Sequence, residues 1–131
     1  MLELFERNAV VSGAVTAFLT SAFGLGVALG FRWIFGWESG GVTALATVFV
    51  VVGCVLGAFR AGLGAPRAPL SNGAAASVLA GLAISITQRL VAGKGVALGS
   101  LIFVVMLCAC LGVFGGFVAN NANRTRAYRR Q

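Results

Sequence analysis

Four long apolar segments alternate with short polar connections along this chain. The clearest segment is residues 96–119, which contains no charged residue and ends before an arginine-rich stretch. A helix rises about 1.5 Å per residue, so roughly 20 apolar residues cross a bilayer core about 30 Å thick. The same pattern predicts further spans over residues 9–31, 41–59 and 73–89. We therefore predict an all-α membrane protein with four transmembrane helices.

Polar residues flank the predicted four-helix domain, residues 9–119. Residues 1–8 mix apolar and charged side chains, which is typical of an amphipathic lead-in at the membrane interface. Residues 120–131 form a basic tail after the last span. Because anionic lipid headgroups attract cations, we expect the arginines of this tail to bind headgroups. These residues are Arg124, Arg126, Arg129 and Arg130.

Aromatic and basic residues mark the end of the first span. Arg32 and Trp33 follow the apolar run directly, and Trp37 lies four residues further along. Tryptophan rings prefer the depth of the headgroups, and an arginine there extends its charged end into water. We interpret these three residues as interface anchors rather than as an aromatic box that binds a ligand.

Small residues recur at helical spacing inside the spans and predict close helix packing. Three Gly-x-x-x-Gly pairs occur, in the first, second and fourth spans, and the third span carries glycine or serine at every fourth position. In lipid, helices associate through close backbone approach, so such faces are typical of helix crossings. Because the third span has few large apolar groups, we expect it to lie inside the bundle. The predicted packing residues are Gly26, Gly30, Gly53, Gly57, Gly73, Ser77, Gly81, Ser85, Gly112 and Gly116.

Composition agrees with a membrane protein and argues against enzyme chemistry. The chain is 59% hydrophobic and 10% charged, whereas water-soluble proteins carry about 25% charged residues. It contains no histidine and no aspartate, and its three glutamates lie outside the spans. Acid–base catalysis needs a positioned titratable group, so we expect no enzymatic activity. The three cysteines lack further ligands nearby, so we expect no metal site and no cofactor.

The net charge of +7 comes from nine arginines and one lysine opposed by three glutamates. These cations lie between and beyond the apolar spans, where they set membrane topology, so we expect no nucleic-acid partner. Seven belong to the side that holds both termini and the middle loop, residues 61–72, namely Arg7, Arg60, Arg67, Arg124, Arg126, Arg129 and Arg130. Only Arg32, Arg89 and Lys94 belong to the opposite side. The positive-inside rule therefore predicts a multi-pass protein with both termini in the cytoplasm.

The two halves of the chain resemble each other. The run S-G-A-V-T-A-F-L of residues 12–19 is similar to N-G-A-A-A-S-V-L of residues 72–79. The run L-G-A-F-R-A-G of residues 56–62 is similar to L-G-V-F-G-G-F of residues 111–117. An even number of crossings returns the chain to the same side, so this echo predicts two tandem helical hairpins related by an axis along the membrane normal.

Three of these runs resemble the YrzE-like family of small four-helix bacterial membrane proteins. They are L-G-A-F-R-A-G at the end of the second span, N-G-x-x-x-S-x-x-x-G over residues 72–81 and L-G-V-F-G-G-F-V-A-N over residues 111–120. The resemblance covers the second hairpin and the end of the second span, whereas the proline-bearing loop and the basic tail depart from the family's pattern. It implies a four-helix architecture in a bacterial inner membrane. It implies no activity, because the family itself is uncharacterised.

Glycine-rich faces are more numerous than four helices need internally, so we expect at least one to face another chain. Our leading hypothesis is a non-catalytic helix-packing accessory or assembly subunit that docks on a larger membrane protein or on itself. The alternative is a small homo-oligomeric channel or transporter for a small solute, lined by the Ser/Thr/Gly face of the first and third spans. Residues 26–33 resemble the first-helix glycine–arginine run of small four-helix fluoride channels. Here the arginine ends the span, and the asparagine and Phe/Ser/Thr signatures of those channels are missing.

Overall fold

In the computed structural model the chain forms four α-helices joined by short connections. The structure describes residues 6–36, 38–91, 93 and 98–128. The helices are α1 (Arg7–Phe35), α2 (Ser39–Gly64), α3 (Pro69–Val91) and α4 (Leu98–Tyr128). All four are long and apolar enough to cross a membrane, and the described residues contain no strand. The predicted all-α architecture with four membrane-spanning helices is confirmed.

The connection between α2 and α3 is shorter than the predicted loop of residues 61–72. α2 continues to Gly64 and α3 begins at Pro69, which leaves residues 65–68 outside the helices. Ala61 is fully buried, so packing holds the last turn of α2 in the bundle. Proline is tolerated as a first helical residue because its missing N–H would have no partner there. The backbone N–H of Asn72 donates to the carbonyl oxygen of Ala68 at 3.2 Å and continues the turn.

The helices also extend into the predicted flanking segments. α1 begins at Arg7, inside the predicted lead-in, whose residues 1–5 lie outside the described part of the chain. α4 has 31 residues and ends at Tyr128, so most of the predicted basic tail is helical. A helix of this length is about 46 Å long, against a hydrocarbon core of about 30 Å. No glycine or proline follows Gly116, so the polar residues beyond the span do not stop the helix.

The interior of the bundle is built from small residues, and the large apolar side chains face outward. The largest fully buried side chains are those of Asn72, Cys54 and Ser77. By contrast, Leu19 is 61% exposed and Phe23 is 68% exposed. Such an arrangement suits a bundle that lipid surrounds, because lipid tails are as apolar as a leucine side chain. In the most apolar stretch of α3, 33% of the residues are buried, which is the largest such share among the four helices. This agrees with the predicted interior place of α3.

The helices pack as two hairpins that lie side by side. The most extensive contacts join α1 to α2, the first hairpin, and α3 to α4, the second hairpin. α2 also packs on both helices of the second hairpin, and α1 packs on α3, whereas α1 and α4 make the weakest contact of the six pairs. A two-fold axis along the membrane normal would make the α1–α4 and α2–α3 contacts equal. These two contacts are unequal, so the hairpins do not follow an exact two-fold axis.

Candidate functional site

The first hairpin is held by a close crossing of two glycines. A Cβ atom built on Gly57 would lie 2.5 Å from the carbonyl oxygen of Gly13, and one built on Gly13 would lie 2.5 Å from the carbonyl oxygen of Gly57. Gly53, one turn earlier on α2, would bring a Cβ within 2.9 Å of the carbonyl oxygen of Ala17. The predicted pair Gly53 and Gly57 thus lies at the crossing. Gly13 completes it and was not among the predicted packing residues.

The second hairpin repeats this crossing with equivalent residues. A Cβ on Gly73 would lie 2.8 Å from the carbonyl oxygen of Gly112, and one on Gly112 would lie 2.7 Å from the carbonyl oxygen of Gly73. A Cβ built on Gly116, one turn later, would lie 2.6 Å from the carbonyl oxygen of Pro69. In the sequence echo Gly13 aligns with Gly73, and Gly57 aligns with Gly112. The two halves of the chain therefore resemble each other in structure as well as in sequence.

Beyond each glycine crossing, toward the connection between the two helices of the hairpin, a glycine faces a larger side chain. In the second hairpin Gly81 of α3 faces Cys108 of α4, whose Sγ and Cβ atoms fill the space that a side chain on Gly81 would need. In the first hairpin a Cβ built on Gly53 of α2 would lie 2.9 Å from the hydroxyl oxygen of Ser21 of α1. The small and the larger residue have therefore exchanged helices between the hairpins. Each pair fills its space with one side chain only.

The contact between the hairpins uses glycines that the sequence analysis did not select. A Cβ on Gly62 of α2 would lie 2.7 Å from the Cβ of Ala119 of α4. A Cβ on Gly115 of α4 would lie 2.6 Å from the carbonyl oxygen of Val55. The doublet Gly115-Gly116 was the available signal, because adjacent glycines on a helix open two different faces.

The remaining predicted pair lies on an outer face of α1. A Cβ built on Gly26 or on Gly30 meets no atom within 4 Å. Gly26 is exposed and Gly30 is half-buried. Gly26 and Gly30 therefore do not pack against any of the four described helices, although their spacing is the same as that of Gly53 and Gly57.

Most hydroxyl groups of the spans bond to their own helix, which is the usual use of serine and threonine in helices. Thr16, Ser21 and Thr47 each donate to the carbonyl oxygen four residues earlier, at 2.8 to 2.9 Å. Ser77 differs, because its hydroxyl donates across the bundle to the carbonyl oxygen of Cys54 at 2.8 Å. This bond ties α3 to α2 at a point where both residues are fully buried.

Asn72 supplies a polar contact between the hairpins at the end of the bundle that holds residues 65–68. Its Oδ1 accepts a hydrogen bond from the backbone N–H of Glu6 at 3.0 Å, and its Nδ2 donates to the carbonyl oxygen of Ala68 at 2.8 Å. The N–H of Glu6 is one of the four that the start of a helix leaves without an internal partner. The fully buried Asn72 therefore caps α1 from a neighbouring helix, a role that sequence spacing alone does not reveal.

Replacing Asn72 by leucine is expected to lower the free energy of unfolding by about 1–3 kcal/mol, because it removes the acceptor of the Glu6 N–H and the hydrogen bonds of a fully buried amide side chain. The matched control is Asn121→Leu, which makes the same change at an exposed position of α4. Denaturant unfolding in detergent, with amide hydrogen exchange over the first turn of α1, measures both effects. Equal stability and equal exchange in the two variants would contradict the capping role.

At the opposite end of the bundle the helices diverge and leave two adjoining apolar cavities. Their volumes are about 310 Å³ and about 380 Å³. The first lies between α1, α2 and α3, and the second lies mainly between α2, α3 and α4. Residues that line both cavities are Leu25, Ala46, Val50, Ile84 and Gln88. We call the two cavities together the open-end cavity.

Large side chains contribute to the walls of the open-end cavity. Phe18 and Leu25 contribute from α1, where the crossing at the other end has glycine. The predicted packing residue Ser85 does not lie at a crossing but lines the second cavity, together with Gly81 and Cys108. The few polar linings are hydroxyl and amide groups, so the cavity can hold an apolar group and has no acid–base pair to act on it. Among the described residues, no group of three His, Cys, Asp or Glu residues could hold a metal ion.

The predicted interface anchors lie at the end of α1. Arg32 is exposed in the last turn, and Trp33 is 93% exposed. The helix ends at Gly36, whose positive φ of 65° favours glycine and whose N–H donates to the carbonyl oxygen of Arg32 at 3.0 Å. Trp37 lies outside the described residues. Of the predicted headgroup-binding arginines, Arg124 and Arg126 are exposed on the last turns of α4, and Arg129 and Arg130 lie outside the described residues.

Comparison with known protein families, curated proteins and solved structures finds no match to this chain. The resemblance to the YrzE-like family therefore stays a prediction.

Proposed function

We propose that this protein is a non-catalytic packing subunit of a membrane assembly, in which α1 packs against a transmembrane helix of another chain. The observation that carries this proposal is the outer face at Gly26 and Gly30, where a Cβ meets no atom within 4 Å. At the other two Gly-x-x-x-Gly pairs, a Cβ built on each glycine would lie 2.5 to 2.9 Å from an atom of a neighbouring helix. In lipid, a Gly-x-x-x-Gly face is a means of close helix approach. This face has no partner among the described helices.

The surroundings of these glycines suit a helix as the partner. Ala22, Gly26 and Gly30 recur at every fourth position and form a shallow groove along α1. Phe23 is 68% exposed and Leu29 is 48% exposed, and they lie three positions before and after Gly26, so large side chains flank the groove on both sides. Ridges of side chains beside a groove of small residues give a second helix a defined crossing angle. The partner is therefore a transmembrane helix, either of a larger membrane protein or of a second copy of this chain.

Leucine at both Gly26 and Gly30 is expected to abolish association with the partner while the four-helix fold remains. A Cβ at either position meets no atom of the described residues within 4 Å, and the leucine side chains would hold a partner helix away from the backbone of α1. Blue-native electrophoresis after extraction of the tagged protein in mild detergent measures the assembly. We expect wild-type protein above monomer mass and the double variant at monomer mass.

The matched control is Gly99→Leu on α4, where a Cβ likewise meets no atom within 4 Å. Its assembly should equal that of the wild type. Co-expression of two differently tagged copies distinguishes self-association from binding to another membrane protein. Wild-type protein that migrates only as a monomer, or a double variant that assembles normally, would refute the proposal.

The alternative function, a small homo-oligomeric channel or transporter, draws on the open-end cavity. Within one chain a path beyond that cavity meets the glycine crossings, where Gly13 contacts Gly57 and Gly73 contacts Gly112. Ser77, expected to line a path, is fully buried and bonded to Cys54. The channel or transporter alternative therefore needs a solute path that runs between two or more copies of this chain. Solute flux into liposomes that equals the flux into empty vesicles would count against it.

Location in the membrane of a bacterium with both termini in the cytoplasm completes the proposal. The four helices support a multi-pass membrane protein. The cytoplasmic side follows from the excess of arginine at the end of the bundle where α1 begins and α4 ends. The described arginines of that end are Arg7, Arg60, Arg67, Arg124 and Arg126, against Arg32 and Arg89 at the other.

A further inference from the structure

We propose that the open-end cavity is a binding site for one acyl chain of a phospholipid of the surrounding bilayer. The two cavities, about 310 Å³ and about 380 Å³, share five lining residues and so adjoin. Their size falls at the lower end of the range of about 300–1,000 Å³ that is typical of pockets for small molecules. An empty apolar cavity leaves its lining side chains without dispersion contacts. A neighbouring chain that enters it restores those contacts.

The lining favours a flexible apolar chain over a helix of a partner protein. Where helices of this chain meet, a glycine such as Gly57 lets two backbones touch. The open-end cavity has instead Phe18, Val50 and Ile84 on its walls, which keep any further backbone at a distance. A helix is about 10 Å wide with its side chains, whereas a hydrocarbon chain is thinner and bends around such walls. Among the described residues no charged side chain lines either cavity, which disfavours an ionic solute.

The depth of the cavity matches the hydrocarbon region of one leaflet. Leu25 lies seven residues before Arg32 on α1, and Phe18 lies fourteen residues before it. At 1.5 Å per residue these positions are about 10 Å and about 21 Å below the arginine along the helix. Half of a hydrocarbon core is about 15 Å thick, and the headgroup layer outside it, where the arginine lies, adds roughly 5–7 Å. The cavity thus covers the lower part of the leaflet, where acyl chains lie.

Charge at the rim suits the headgroup of the same lipid. Thr87 and Gln88 are the polar residues at the outer end of the first cavity, and Arg89 follows them directly on α3. Arg89 donates to the hydroxyl of Ser100 on α4, which holds its guanidinium at this end of the bundle. Together with Arg32 it places positive charge at headgroup depth, where it attracts the phosphate of a phospholipid. The chain below the phosphate then reaches the cavity.

Photo-crosslinking of the reconstituted, full-length protein tests this site. The probe is phosphatidylglycerol with a diazirine in the middle of one acyl chain, and labelled residues are identified by mass spectrometry. Labelling at Leu25 and Ile84 is compared with labelling at Phe103 and Met106, which are exposed on the outside of α4. We expect the cavity residues of the wild type to be labelled more strongly than these outer residues.

Filling the cavity is expected to remove the excess labelling. Ala46→Phe places a ring in both cavities, and its matched control Ala44→Phe places the same ring on an exposed position of α2. Val50→Phe enlarges a side chain that lines both cavities and serves if Ala46→Phe does not fold. The excess should fall to the level of the outer residues in the filled variants and stay unchanged in the control.

Three results would overturn the proposal. They are equal labelling of cavity and outer residues in the wild type, equal labelling in the filled and control variants, and cavity labelling by a diazirine fatty acid but not by the phospholipid. None of these results bears on Gly26 and Gly30, which line neither cavity. The acyl-chain site and the packing face can therefore be refuted independently of each other.

Discussion

Alanine in place of Gly57 is expected to lower the free energy of unfolding by about 1–3 kcal/mol, the usual cost of overpacking a close contact. The new methyl group would lie 2.5 Å from the carbonyl oxygen of Gly13 and 2.7 Å from the Cβ of Ala17. A backbone oxygen cannot turn aside as the end of a side chain can, so α1 and α2 must separate. Alanine also improves helix propensity by roughly 1 kcal/mol, which only partly offsets this cost. Unfolding of the purified protein by denaturing detergent, followed by circular dichroism, gives the free energy.

Gly26→Ala is the matched control, since it makes the same change in a pair with the same spacing. A Cβ there meets no atom within 4 Å, so the propensity gain is left unopposed. In detergent-solubilised monomer we expect unchanged or slightly increased stability. The two substitutions should thus differ in sign. A loss of stability of similar size in both variants would mean that Gly57 has no special place at the α1–α2 crossing.

The spacing of small residues predicted that helices would pack closely, but not which faces would be internal. Gly26 with Gly30 and Gly53 with Gly57 have identical spacing, and only the second pair meets another helix of this chain. The difference depends on how the hairpins dock, which is a property of distant residues. Gly62 and Gly115, at the contact between α2 and α4, belong to no Gly-x-x-x-Gly pair that was selected. The sequence therefore predicts where a helix lies in the chain more securely than it predicts which face of the helix packs against a neighbour.

The sequence echo was the most informative signal for the arrangement of the helices. It aligned Gly13 with Gly73 and Gly57 with Gly112, and each hairpin then forms the same reciprocal glycine contact. What the echo could not provide is the relation between the hairpins. A rotation about an axis and a sideways displacement leave the same similarity in the sequence. The unequal contacts of α1 with α4 and of α2 with α3 show only that the relation is not an exact two-fold axis.

The open-end cavity could not be predicted, because it depends on what the helices do not fill. Hydropathy treats Phe18, Leu25 and Val50 as further apolar residues of spans, the same as those that face lipid. In the structure these three side chains line the open-end cavity. Ser85 continued the small-residue stripe of α3 in sequence. In the structure Gly81 and Ser85 of this stripe both line the second cavity.

Gly81→Ala is expected to cost about 1–3 kcal/mol in the free energy of unfolding, and Cys108→Ala is expected to recover part of that loss. The methyl group at position 81 would overlap the Sγ atom of Cys108. Once that sulfur is removed, the nearest atoms are the Cβ of Cys108 at 3.3 Å and Cγ1 of Val104 at 3.5 Å. Both distances are close to ordinary contact. Cys108→Ala alone should cost about 1 kcal/mol, because it leaves the space beside Gly81 empty.

The double variant should therefore be more stable than Gly81→Ala alone, with a coupling energy within the range of about 0.5–3 kcal/mol that residues in contact show. Cys110→Ala is the matched control, since Cys110 lies on the same helix but is exposed, and its effect should simply add to that of Gly81→Ala. The first hairpin supports this expectation, because Gly53 faces Ser21 there and the larger side chain stands on the other helix. Both hairpins thus place one side chain and one glycine at this level. Strict additivity of Gly81→Ala and Cys108→Ala would show that the two positions do not share that space.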